Sequence, residues 1–118
     1  MNVTTINALF TLFSGEEDIV TFEPVILAAI DEVEQDLLTG ADPTDARLNY
    51  LAAAVANLRY TQIFGAREKA LATYAGTLRR TSDYEQQGRF ARQLVCSYRK
   101  LCADLLKDAE FVFFVCRG

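Results

Sequence analysis

Histidine is absent from this chain, and that absence excludes more chemistry than any residue present suggests. Without imidazole, neither a Ser-His-Asp nor a Cys-His arrangement is available for nucleophilic catalysis. The Glu-x-x-His pair that holds metals in di-iron helical bundles cannot be written either. Cysteine is scarce: Cys96, Cys102 and Cys116 cannot all pair within one chain. Cys96 and Cys102 lie too far around a helix to share a metal, so the three read as buried, reduced thiols. The glycines are scattered, so no glycine-rich phosphate loop is present. Glu32 and Asp36 lie close together, but no loop of alternating oxygen ligands accompanies them to make a calcium site. The expectation is therefore a protein with no catalytic residues, no cofactor and no metal.

Long apolar runs are also lacking, which excludes a membrane-spanning helix of about 20 residues. The N-terminus, MNVTTINALFTLFSGEED, carries no basic region of the secretory type, so a cytoplasmic location is expected. Basic residues are missing from the whole first part of the chain. Positions 1–46 hold ten acids and no Lys or Arg, whereas positions 47–118 hold all twelve basic residues and six acids. The two parts thus carry −10 and +6, which sum to the net −4. Such asymmetry bears on partners rather than on the fold.

What is present is helical periodicity. The 118 residues suit one domain with a modest core, and half of them are apolar. Val3, Ile6, Leu9, Phe10 and Phe13 recur at helical spacing, and Ser14-Gly15 closes that helix. A second helix is expected from Pro24 to Leu38, with Ile26, Ala29, Ile30, Val33 and Leu37 inward and an acidic face outward. Gly40 stands where a left-handed cap is wanted. Asp42-Pro43-Thr44-Asp45 is a start signal for a third helix, expected over about 43–70. Leu48, Leu51, Ala52, Val55, Leu58 and Ile63 form its stripe, and the alanines 52–54 and 56 make neighbouring faces shallow, as in the central helix of a bundle. Asn57 falls beside the stripe as a capped or water-satisfied polar residue.

Residues 71–81, LATYAGTLRRT, contain Thr73, Tyr74, Thr77 and Gly76, which favours a break with a short extended segment or hairpin; a helix continuous to 80 is the competing reading. Ser82-Asp83-Tyr84-Glu85 has the form of a capping box for the last helix. Phe90, Leu94, Tyr98, Leu101 and Leu105 then supply its core stripe, widened by Ala91, Val95, Cys102 and Ala109, with Arg89, Arg92, Arg99, Lys100 and Lys107 along the other side. The end of the chain, FVFFV at 111–115, is apolar enough to need covering by the domain itself or by a partner. The fold class that results is all-α, a bundle of about four helices around a long central one.

The stretch Leu51-Ala52-Ala53-Ala54-Val55-Ala56 with Tyr60 resembles the central helix of small prophage-encoded head–tail connector or adaptor proteins. In that group a short β-like excursion follows, to which Thr73-Tyr74-Ala75-Gly76-Thr77 is similar, and then a final helix with an aromatic end, here Asp108 to Phe113. Leu78-Arg79-Arg80 departs from the more acidic or neutral excursion of the group. The resemblance implies a non-catalytic structural role in the virion: a ring-forming adaptor whose partners are further copies of itself and portal or tail proteins. Independently of it, an acidic face and a basic face on one subunit suit head-to-tail self-association, because the two patches complement each other between neighbours. The simpler alternative is that the two halves neutralise each other within one subunit.

The candidate interaction surface comprises Glu32 and Asp36 on the acidic side, Arg79, Arg80, Arg89 and Arg92 on the basic side, and Phe111, Phe113 and Phe114 at the end of the chain. A second functional class is a small helical nucleic-acid-associated regulator that neutralises phosphates with the basic half. The overall negative charge opposes that reading.

Overall fold

The computed structural model describes residues 1–75 and 79–107, and places side chains for 1–64 and 85–107. The described residues form four helices: α1 (Val3–Ser14), α2 (Ile19–Gln35), α3 (Ala46–Ala75) and α4 (Arg79–Leu101). No helix is long and apolar enough to cross a membrane among the described residues. The all-α bundle expected from periodicity is what is found.

Each of the first three helices is set by local polar groups. The side chain of Asn2 accepts from Thr5 N at the start of α1, and Gly15 closes it with φ 75° while its N–H donates to Thr11 O at 2.8 Å. A side chain at that φ would be strained, so glycine is required there. α2 begins five residues earlier than Pro24. Asp18 accepts from both Thr21 N and the Thr21 hydroxyl, and this cap outweighs the one hydrogen bond that Pro24 forgoes near the helix start. The helix ends at Gln35, so Gly40, at φ 89°, turns the following loop instead of capping α2.

α3 starts at Ala46, not at Pro43. Asp42 spends its carboxylate on Thr44, accepting from its N–H at 2.9 Å and its hydroxyl at 2.6 Å, and Asp45 accepts from Arg47 N at the helix entrance. At the other end α3 runs through Ala75, so Thr73 and Tyr74 are helical and α4 is already helical at Arg79. The extended excursion is therefore absent at 71–75 and 79–81; residues 76–78 lie outside the described residues. The β-preference of threonine and tyrosine is worth tenths of a kcal/mol per residue, less than extending a helix already nucleated. Because α4 starts at Arg79, Ser82 and Glu85 lie inside the helix and do not form its cap.

α3 is the centre of the molecule: α1, α2 and α4 each pack on it. Its residues Leu48, Leu51, Ala52, Ala53, Ala54, Val55 and Ala56 are all buried, an unbroken wall that only a helix surrounded on every side produces. Alanine on these faces lets the neighbouring helices approach closely. Ile6 and Phe10 from α1 and Ile26, Ala29, Ile30 and Val33 from α2 complete the core. Ile63, expected in the stripe, is exposed, since the wall gives way to a more open surface beyond Ala56.

α4 is turned so that the residues expected to widen its stripe form the centre of its buried face, with Leu94 and Tyr98 half-buried beside them. Ala91, Val95 and Cys102 are buried, while Phe90 and Leu101 are each 57% exposed. The small residues face α3 and the large ones lie on the flanks, which brings the α4 backbone close to the alanine wall. Beyond α4, the chain returns to α2. Leu38 N donates to Leu105 O at 2.9 Å and Lys107 N to Asp36 O at 2.7 Å, an antiparallel bridge between Leu37 and Leu106. The cysteines divide: Cys102 is buried and free, but Cys96 is disulfide-bonded, which corrects the reading of all three as reduced. Cys116 lies outside the described residues.

Candidate functional site

The acidic and basic faces sit on different helices that both use α3 as their support. On α2 the exposed acids are Glu23, Asp31 and Glu34. Glu32 leans back and pairs with Arg59 of α3 at 2.8 Å. Asp36, just past α2, pairs at 3.6 Å with Arg99, which is 8% exposed. Arg99 was expected on the outer basic line; the rotation of α4 turns it inward instead, where Asp36 offsets much of the cost of burying its charge. Two acids of the predicted surface are thus engaged inside the subunit.

On α4, Arg89 and Arg92 are exposed as expected, with Lys100 further along. Arg79 and Arg80 belong to the first turn of α4, and their side chains are outside the described set. Phe111, Phe113 and Phe114 lie outside the described residues. The structure therefore brings together neither Glu32 with the free arginines nor Asp36 with them; it leaves Asp31 and Glu34 on one helix and Arg89 and Arg92 on another.

A third charged group was not foreseen. Arg47 donates to Asp45 Oδ2 at 2.9 Å, to Asp104 Oδ1 at 3.0 Å and to the carbonyl of Leu101 at 2.8 Å. It clasps the start of α3 to the end of α4. Hydrogen bonds from Arg47 hold the Asp45 and Asp104 carboxyls below their usual range and push the guanidinium pKa further up. Nothing in the spacing of these residues announces the clasp, because it joins positions more than fifty apart in the chain. Cys102 lies beside it, and burial raises its thiol pKa.

No protein-family model, curated protein or solved structure matches this chain.

A further feature is a cleft of about 430 Å³ over α3, between the end of α1 and the middle of α4. Phe13 and Ser14 form its α1 wall, and Gln86, Gln87 and Phe90 its α4 wall. The floor is Asn57, Tyr60 and Thr61. Tyr60 is fixed from below: its ring meets Phe10 and Phe22 edge-on at 5.6 and 4.9 Å, and its hydroxyl donates to Glu16 at 2.9 Å. Phe13 stacks on Tyr98 at 6.1 Å. The cleft is thus framed by positioned aromatic rings with polar side chains between them. Among the described residues no cluster of Cys, Asp and Glu is arranged to hold a metal ion.

Proposed function

We propose that this protein is a non-enzymatic assembly adaptor that associates head-to-tail, the acidic surface of α2 on one copy meeting the basic surface of α4 on the next. The observation that carries the reading is the placement of Asp31 and Glu34 on α2 and of Arg89 and Arg92 on α4, both helices resting on α3. Patches on different helices of one subunit are complementary between copies related by a repeated rotation, the heterologous geometry that closes into rings. The resemblance of the third helix to prophage head–tail connectors suggests the setting, with portal or tail proteins as further partners and the host cytoplasm or the virion as the location. Glu32 and Asp36 drop out of the proposed contact, because both are paired within the subunit.

Light scattering after size exclusion tests the reading. At low salt the protein elutes above monomer mass, and the excess falls as salt screens the contact. The double variant Arg89→Glu/Arg92→Glu is monomeric, and so is Asp31→Lys/Glu34→Lys; mixed together, the two restore the large species, because every contact between unlike copies again joins an acidic face to a basic one. A strict monomer at high concentration under both salt conditions refutes the proposal.

One observation favours the nucleic-acid reading as second. Phe90 is exposed on the same helix as the exposed Arg89 and Arg92, so α4 offers both a ring for stacking and cations for phosphates. A salt-sensitive shift of a single-stranded oligonucleotide, lost in Arg89→Glu/Arg92→Glu while the monomer mass is unchanged, would favour it over self-assembly.

A further inference from the structure

We infer that the cleft over α3 is a binding site for a neutral planar ring with a hydrogen-bonding edge, the chemistry of a nucleobase. This does not depend on the assembly reading, which concerns other faces of the molecule.

The first support is Asn57. Its residue is 4% exposed, and its side-chain amide makes no hydrogen bond among the described residues. No buried polar side-chain atom is left wholly without a partner or solvent among those residues, so the amide reaches the exterior through the cleft it lines. An amide that reaches solvent without a protein partner keeps its donor and acceptor available to a ligand that displaces that water. The amide presents an N–H donor and a carbonyl acceptor side by side, the pairing that reads the edge of a base bidentately. Its two neighbours on the floor have other commitments: Thr61 donates to the Asn57 carbonyl at 2.8 Å, and Tyr60 to Glu16.

The second support is the walls. Phe90 is 57% exposed and makes no ring contact among the described residues, an uncovered aromatic face at the cleft edge. Phe13 stands across from it on α1, already braced against Tyr98. Stacking on such a ring is worth about 1–3 kcal/mol per base, and it accepts any base because every base has a π-face. The third support is charge. None of the eight residues that line the cleft carries a charge at neutral pH, so the site selects neither a phosphate nor a cation. The volume suits a small ligand of one or two rings. Gln86 and Gln87 at the rim add amides for groups that project outward.

The test is a titration of the isotopically labelled protein followed by two-dimensional amide NMR. In that spectrum the side-chain NH₂ of Asn57 is observed directly. Adenosine, uridine, glucose and a short single-stranded oligonucleotide are added in separate arms up to millimolar concentration. We expect saturable shifts from the nucleosides at Asn57, Thr61, Gln86 and Phe90. Asn57→Leu should lose about tenfold in affinity, or 1.4 kcal/mol, while its melting temperature is unchanged or raised. Phe90→Ala, at an exposed position, should weaken binding several-fold without unfolding. An oligonucleotide that binds more tightly than the nucleosides assigns the base to a nucleic-acid strand; equal or weaker binding assigns it to a free nucleoside. Absence of saturable shifts with both nucleosides overturns the proposal. So do shifts that map away from the cleft, affinity unaffected in Asn57→Leu, or glucose binding the same residues as well as the nucleosides do.

Discussion

Replacing Ala53 by leucine tests the architecture at its narrowest point. Asn49, Ala53, Ala56 and Tyr60 share one face of α3 at spacings of four, three and four. The ends of that face touch α1: Asn49 Oδ1 accepts from Asn2 N at 2.9 Å, and Tyr60 packs edge-on against Phe10. Ala53, fully buried between them, must therefore lie under α1. A leucine adds three carbons where no space exists, and overpacking of this kind costs about 1–3 kcal/mol. Undocking α1 altogether costs more. Its two fully buried side chains, Ile6 and Phe10, contribute about 1.5–3 kcal/mol each, so losing the whole helix costs at least about 3–6 kcal/mol, with Leu9 and Phe13 packed against the core besides. The smaller loss should prevail, with α1 displaced but attached. Thermal unfolding followed by far-ultraviolet circular dichroism should show a fall of roughly 4–12 °C, at about 4 °C per kcal/mol for a chain of this size. Hydrogen exchange should accelerate over Ile6–Phe10 and leave Val95–Cys102 unchanged. Ala54→Leu should do the reverse, because Ala54 lies one turn from Tyr50, whose ring meets Tyr98 of α4 at 5.5 Å. Ala28→Leu, at an exposed site on α2, serves as the control and should change stability by less than about 0.5 kcal/mol. If Ala53→Leu behaves like that control, α1 does not pack where the argument requires.

Other expectations are shorter to state. Gly88→Ala should stabilise the protein by about 0.5–1 kcal/mol, since the added Cβ meets only the Thr61 methyl at 3.8 Å, an ordinary contact; a lower midpoint in urea would contradict this. Asp45 and Asp104 have depressed pKa values in the folded state, so their contribution to stability is present above the ordinary carboxylate value of 3.8 and is lost as the pH falls below it. Melting curves of the native protein should therefore fall more steeply below pH 4 than those of Arg47→Gln, in which the cause of the depression is gone; parallel curves would refute the clasp. Cys102, buried and with a raised thiol pKa, should resist a thiol reagent at neutral pH until urea unfolds the chain. Fast labelling of Cys102 in the native protein would show that the end of α4 opens.

Much of the secondary structure is written in the chain and little of the packing is. The helical class follows from apolar residues at spacings of three and four, and the ends of α1 from Asn2 and from Gly15 in a conformation other residues avoid. The central position of α3 is legible in its run of alanines, because a helix small on every face can be enclosed on every face. The separation of charge along the chain needs no structure at all. Periodicity, however, identifies which residues of a helix share a face, not which face turns inward. On α4 two candidate stripes exist, one of large side chains and one of small, and the alanine wall of α3 accepts the small one. That choice exposes Phe90 beside the cleft and buries Arg99, which then needs Asp36. The Arg47 clasp and the bridge between Leu37 and Leu106 likewise join residues more than fifty positions apart. Such contacts depend on how the helices are placed in space, and only the tertiary structure decides that.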